Sequence, residues 1–131
     1  MKHTIKDMKP SVGIFSLVDG ELYCLEAPIE DLAPINGMYD AGKLFHIDLL
    51  KQIPDMNPNL NEDLKKELKS VTHPYDYPRG RVCYNINNDQ YLVFTCEEIA
   101  RNEYYKQTIM RKFHLPVSKT VFYIDDFYKY R

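Results

Sequence analysis

Asp19-Gly20 sits between two strand-like runs, the apolar and β-branched Val12 to Val18 and the segment Glu21 to Leu25. An Asp-Gly pair in that setting is the strongest short-range hairpin signal, because both residues tolerate the positive φ that a two-residue turn demands. The turn fixes the pairing. Leu17 meets Leu22 and Phe15 meets Cys24 on one face, while Ile14, Leu25, Ser16 and Tyr23 share the other. Both faces are then partly apolar, so the ribbon is covered on both sides, or by helices on one side and a second subunit on the other.

A second ribbon is expected further on. Arg81 to Ile86 and Gln90 to Thr95 read as strands, and Asn87-Asn88-Asp89 between them as a turn. Tight pairing places Val82, Tyr84, Tyr91 and Val93 on one face, and Arg81, Cys83, Leu92 and Phe94 on the other. Thr120 to Ile124 reads as a last strand, ending at Asp125-Asp126 and followed by an aromatic tail of Phe127, Tyr128 and Tyr130.

Helices fill the intervals. Phe45, Leu49, Leu50 and Ile53 form a stripe at helical spacing from Lys43 to Ile53, with Pro54 and Pro58 as terminators. A second helix runs from about Glu62 to Val71, capped by Asn59 or Asn61. Thr95-Cys96-Glu97-Glu98 fits a capping box for a third, which runs to about Phe113 with Ile99, Tyr105, Ile109, Met110 and Phe113 inward. Ala27 to Gly42, with two prolines and two glycines, reads as an ordered loop. Residues 1–11 are expected to be loose. The order β-β-α-α-β-β-α-β predicts a single α+β domain over 1–131. Its sheet is mostly antiparallel, built from two hairpins plus a C-terminal strand, with the helices packed on one face.

Composition narrows the function classes. The net charge of -2 argues against a general electrostatic grip on nucleic acid or membrane. The charges are unevenly spread, since Pro10 to Gly42 contains six acids and no lysine or arginine. Cys24, Cys83 and Cys96 fall in or beside apolar strands without metal-knuckle or redox spacing, which fits small buried thiols in a reducing compartment. No apolar run approaches the length of a membrane helix, and no secretory signal is recognisable, so the expected location is the cytoplasm. No cofactor or metal motif is present.

The densest cluster of special residues is His73-Pro74-Tyr75-Asp76-Tyr77-Pro78-Arg79-Gly80-Arg81. Guanidinium groups present a planar fork suited to phosphate or carboxylate. Residues two apart on a strand point the same way, so Arg79 and Arg81 converge on one anion, or else pair with the acids of the 10–42 segment and tether that loop. Gly80 lets backbone approach a ligand or serves a bulge. His46 falls inside the apolar helical stripe, as a core histidine or as an acid–base group facing the arginines. Tyr75 and Tyr77 complete the candidate ligand-binding set of His46, Tyr75, Tyr77, Arg79 and Arg81. Tyr75, Tyr77, Tyr84, Tyr91, Phe122 and Tyr123, near Arg79 and Arg81, offer either core packing or a stacking platform for single-stranded nucleic acid.

Two functional readings follow. One is a small non-catalytic binding or assembly module with an arginine-centred anion site, whose partners are an anionic ligand or nucleic acid, or a homo-oligomer formed through an apolar sheet face. The other is a small hydrolase, phosphoryl-transfer or nucleic-acid-processing enzyme using His46, Arg79, Arg81 and an aspartate.

Overall fold

The computed structural model describes residues 10–44, 49–70 and 77–125. The first hairpin pairs β1 (Ser11–Val18) with β2 (Glu21–Pro28) in the register expected from its turn, with Leu17 opposite Leu22 and Phe15 opposite Cys24. Asp19 and Gly20 both take positive φ, 54° and 79°. These are the values a turn matching the twist of its strands requires.

The second hairpin pairs β4 (Arg79–Asn85) with β5 (Gln90–Thr95). β6 (Thr120–Ile124) lies parallel to β5, reached by the helical crossover that a parallel pair requires. The sheet order is β2-β1-β4-β5-β6. A short strand, β3 (Met38–Asp40), continues β4's pairing beyond the point where β1 leaves it.

The 27–42 stretch is more regular than a loop. Asn36 and Gly37 adopt φ of 53° and 78°, and Ile35 and Met38 exchange two backbone hydrogen bonds of 2.7 and 3.0 Å across them. This is a second two-residue turn, signalled by Asn-Gly, and it delivers β3 to the edge of β4.

The helices divide between the two faces of the sheet, instead of gathering on one. On the first face, α4 (Glu97–Ala100) and α5 (Glu103–Lys112) set Ile99, Ile109 and Met110 against Phe15, Leu17, Leu22, Val82 and Val93. On the other face, α2 (Leu49–Met56) and α3 (Glu62–Lys69) pack Leu49, Leu50, Ile53 and Leu68 against Val18 and Tyr23. Each fully buried aliphatic side chain contributes about 1.5–3 kcal/mol before the entropic costs of folding. The reason for two layers is visible in β1: Phe15 and Leu17 point one way and Val18 the other, and all three are buried. Both faces of the first hairpin are thus covered by helices of the same chain. Between β3 and α2 lies α1 (Ala41–Leu44).

Local signals are decided by competing demands. Asn61 caps α3 by accepting from the amides of Asp63 (2.7 Å) and Leu64 (3.3 Å). Pro54 lies inside α2, which runs on to Met56. Thr95 is not a helix cap: it is the last residue of β5, buried, and its hydroxyl donates to the Arg79 carbonyl at 2.8 Å. Asn102 accepts from the Tyr105 amide at 3.1 Å, ending α4 and starting α5 where one continuous helix was expected.

Among the described residues, no helix is long and apolar enough to cross a membrane.

Candidate functional site around Arg79 and Arg81

β4 begins directly after Pro78, whose carbonyl accepts from the Leu17 amide at 2.9 Å. Proline suits that position, because only its carbonyl is asked to bond. Within β4, Arg79 lies opposite Ser16 and Arg81 opposite Ile14, and Arg81 faces Phe94 on the other side. The pleat therefore directs both arginines to the same face, as their spacing implies.

Gly80 between them has a packing cause. A Cβ there would stand 2.3 Å from Phe15 Cζ and 2.7 Å from the Phe94 carbonyl oxygen. The glycine makes room for a phenylalanine from the neighbouring strand on the opposite face. The register runs unbroken through Gly80, so it makes no bulge.

Asp40, Phe94 and Gly42 are among the residues that set the position of Arg81. Its Nη1 lies 3.8 Å from Asp40 Oδ2, with 34% of the arginine side chain and 12% of the aspartate side chain exposed. Its guanidinium carbon sits 5.3 Å from the centroid of Phe94, in cation–π range. Gly42 leaves space for the stem, since a Cβ there would fall 2.8 Å from Arg81 Cδ. Asp40 is itself fixed: Oδ1 accepts from the Gly42 amide at 2.9 Å and from the Cys83 thiol at 3.5 Å. Burial pushes the Cys83 thiol up to about 12, with the Asp40 charge adding to the shift and Arg81 opposing it. So Asp40, from the acidic 10–42 segment, does tether the β3–α1 corner to β4 through Arg81.

The row continues across the sheet. Phe94 and Tyr123 lie opposite each other on β5 and β6, with ring centroids 5.4 Å apart and planes 18° from parallel. Arg81, Phe94 and Tyr123 thus form one cross-strand row, and its last ring is 45% exposed at the sheet edge. Tyr84, Tyr91 and Phe122 lie on the opposite face, where they join the first core or pack against it. A stacking platform cannot include them together with the arginines.

Tyr77 turns toward the helices. Its hydroxyl is bound by the Glu67 carboxylate of α3, and its ring packs against the α2–α3 cluster. It ties the chain entering β4 to that layer. His46 and Tyr75 lie outside the described residues, as do His73, Asp76 and Asp126. Among the described residues no group of three histidine, cysteine or carboxylate side chains could hold a metal ion.

The sequence places both arginines on one face with Phe94, and groups Tyr123 with them only as one of several aromatics that the structure splits between two faces. The second-hairpin register already set Phe94 beside Arg81, and only the parallel pairing of β6 adds Tyr123. No known protein family, curated protein or solved structure matches this chain.

Proposed function

We propose that the protein is a small binding module that seats an anionic group, carboxylate or phosphate, against Arg79 and Arg81, with Phe94 and Tyr123 as the neighbouring wall. The observation that carries this is the fixing of Arg81: a carboxylate, an aromatic face and a glycine corner hold its guanidinium while a third of the side chain stays open to solvent. A preorganised guanidinium loses little conformational entropy on binding, and its planar fork selects anions by geometry as well as charge. Asp40 offsets part of the arginine charge, which moderates affinity and favours ligands able to share the fork. The enzymatic reading needs His46 beside this pair, and His46 lies outside the described residues. Self-association through the first hairpin is not part of this reading, because the chain's own helices cover both of its faces. A cytoplasmic setting accords with three free cysteines.

The test uses inorganic phosphate, citrate and a short single-stranded oligonucleotide as probes, followed by calorimetry and by the arginine side-chain NMR signals. Arg79→Ala with Arg81→Ala is expected to weaken binding at least about tenfold, and Arg81→Lys to lose most of that, because an ammonium lacks the fork. Unchanged binding in the folded double variant refutes the site.

A further inference from the structure

Among the described residues, the outer strand β2 presents a row of backbone groups that no other strand pairs. The two-residue turn makes Val18 and Glu21 the first hydrogen-bonded pair of the hairpin, so Tyr23, Leu25 and Ala27 also turn their N–H and C=O groups toward β1. The parity is checked by Leu17, whose amide faces the other way and donates to Pro78. The groups of Leu22, Cys24 and Glu26 therefore point away from the sheet, and among the described residues no backbone partner meets them. Pro28 is next in the row; it has no N–H and closes it.

This edge lies in a cleft. A volume of about 520 Å³ runs beside it, walled by Met56 and Asn57 at the end of α2 and by Lys112 at the end of α5. That size is within the range of ligand-binding clefts. Leu22 and Tyr23 are buried at its floor, and Tyr23 is held by a 2.9 Å hydrogen bond from Asn57.

Charge selects the occupant. Glu21 and Glu26 are exposed along the edge, Lys112 is the one cation in the lining among the described residues, and the surrounding 10–42 segment has no lysine or arginine. A second copy would bring the same acidic strand, with no basic residue on it to meet them. Acids on an edge strand guard against such self-pairing while admitting a partner of opposite sign. We infer that the β2 edge accepts an extended, basic segment of a partner protein as an added strand. Its backbone bonds Leu22, Cys24 and Glu26, and lysine or arginine side chains on its two faces meet Glu21 on one face and Glu26 on the other.

The experiment titrates the full chain with a peptide of Lys-Lys-Val-Val repeats, about eight residues long, which carries lysines on both faces, and with its Glu-Glu-Val-Val counterpart. Binding is read by NMR together with amide hydrogen exchange. The basic peptide is expected to bind and to slow exchange at Leu22, Cys24 and Glu26 by at least about tenfold, leaving Tyr23 and Leu25 unchanged, while the acidic peptide does not bind. Glu26→Pro removes one outward N–H and is expected to weaken binding about tenfold. Because a proline variant can fail to fold, Glu21→Lys with Glu26→Lys, both at exposed positions, is the second arm and is expected to abolish binding. No binding of the basic peptide at about 1 mM, equal binding of both peptides, or slowed amides elsewhere overturns the inference. A dimer in sedimentation, with those three amides already protected in the free protein, also overturns it by giving the edge to a second copy.

Discussion

Gly80→Ala is expected to destabilise the fold by about 2 kcal/mol, although the site is an ordinary strand position. The added methyl meets Phe15 at 2.3 and 2.6 Å and the Phe94 carbonyl oxygen at 2.7 Å. The ring cannot yield freely, because Phe15 is 1% exposed and packed on Phe113 at a centroid distance of 6.3 Å. The carbonyl belongs to the backbone of β5 and cannot rotate away. Overpacking of this kind costs about 1–3 kcal/mol, and the upper end applies when two walls are rigid. Loss of glycine's unfolded-state freedom returns about 0.4–1 kcal/mol. With an unfolding entropy of about 2.1 cal/mol/K per residue, each kcal/mol lowers the Tm of a chain this size by about 4 °C. A Tm drop of about 8 °C follows, measured by calorimetry or circular dichroism. Adding Phe15→Leu removes one wall, so the double variant should be less destabilised than the sum of the singles by about 1 kcal/mol. A Gly80→Ala protein melting within about 1 °C of the parent, or strictly additive singles, would falsify the packing explanation of this glycine.

Two further outcomes follow. Hydrogen bonds from Lys119 (2.6 Å) and Tyr84 (2.8 Å) hold the Asp89 carboxyl below its ordinary value; a depressed carboxylate contributes stability above its unfolded pKa that is lost as pH falls through the folded one. Asp89→Asn, which keeps a residue tolerant of the positive φ of 52°, should therefore lie below the parent in Tm near neutrality and approach it below about pH 4; a constant gap across that range sinks the assignment. Cys24 and Cys83 are pushed up to about 12, chiefly by burial, so roughly one thiol in ten thousand is thiolate at pH 8. Iodoacetamide followed by mass spectrometry should leave both unmodified in the native protein and label them after denaturation.

The two hairpins were legible because their turns are local chemistry. Asp19-Gly20 sets the first register outright, and the face assignments of Val82, Tyr84, Tyr91 and Val93 follow from the pleat alone. What could not be read depended on distant partners. Thr95 has the right sequence context for a cap, but the Arg79 carbonyl, brought alongside by strand pairing, claims its hydroxyl. Asn102 falls inside the stretch expected to be one helix up to about Phe113, and its side chain instead starts a new one. The two-layer arrangement was implicit in the doubly apolar first hairpin, yet deciding between the chain's own helices and a second subunit required knowing where α2 and α5 pack. Asn36-Gly37 was legible in principle and was obscured by the prolines around it. At the site, the shared face of Arg79 and Arg81 follows from spacing. Asp40 as the carboxylate beside Arg81 follows only from β3, which aligns Asp40 with Cys83.

The place of β1 in the sheet has a consequence for biosynthesis. Among the described residues it is the first strand in chain order and an inner one, with Ile14 opposite Arg81 and Phe15 against Phe113. On the ribosome the first ribbon can close at once through its turn, but the partners that shield its apolar side chains are translated much later. Closure over such long sequence separations is slow, and it leaves a sticky nascent hairpin waiting for most of the chain. Closure of this sheet is therefore gated by synthesis of the segment from β4 through α5, and truncation before Phe113 should yield an insoluble product even though the first hairpin is intact.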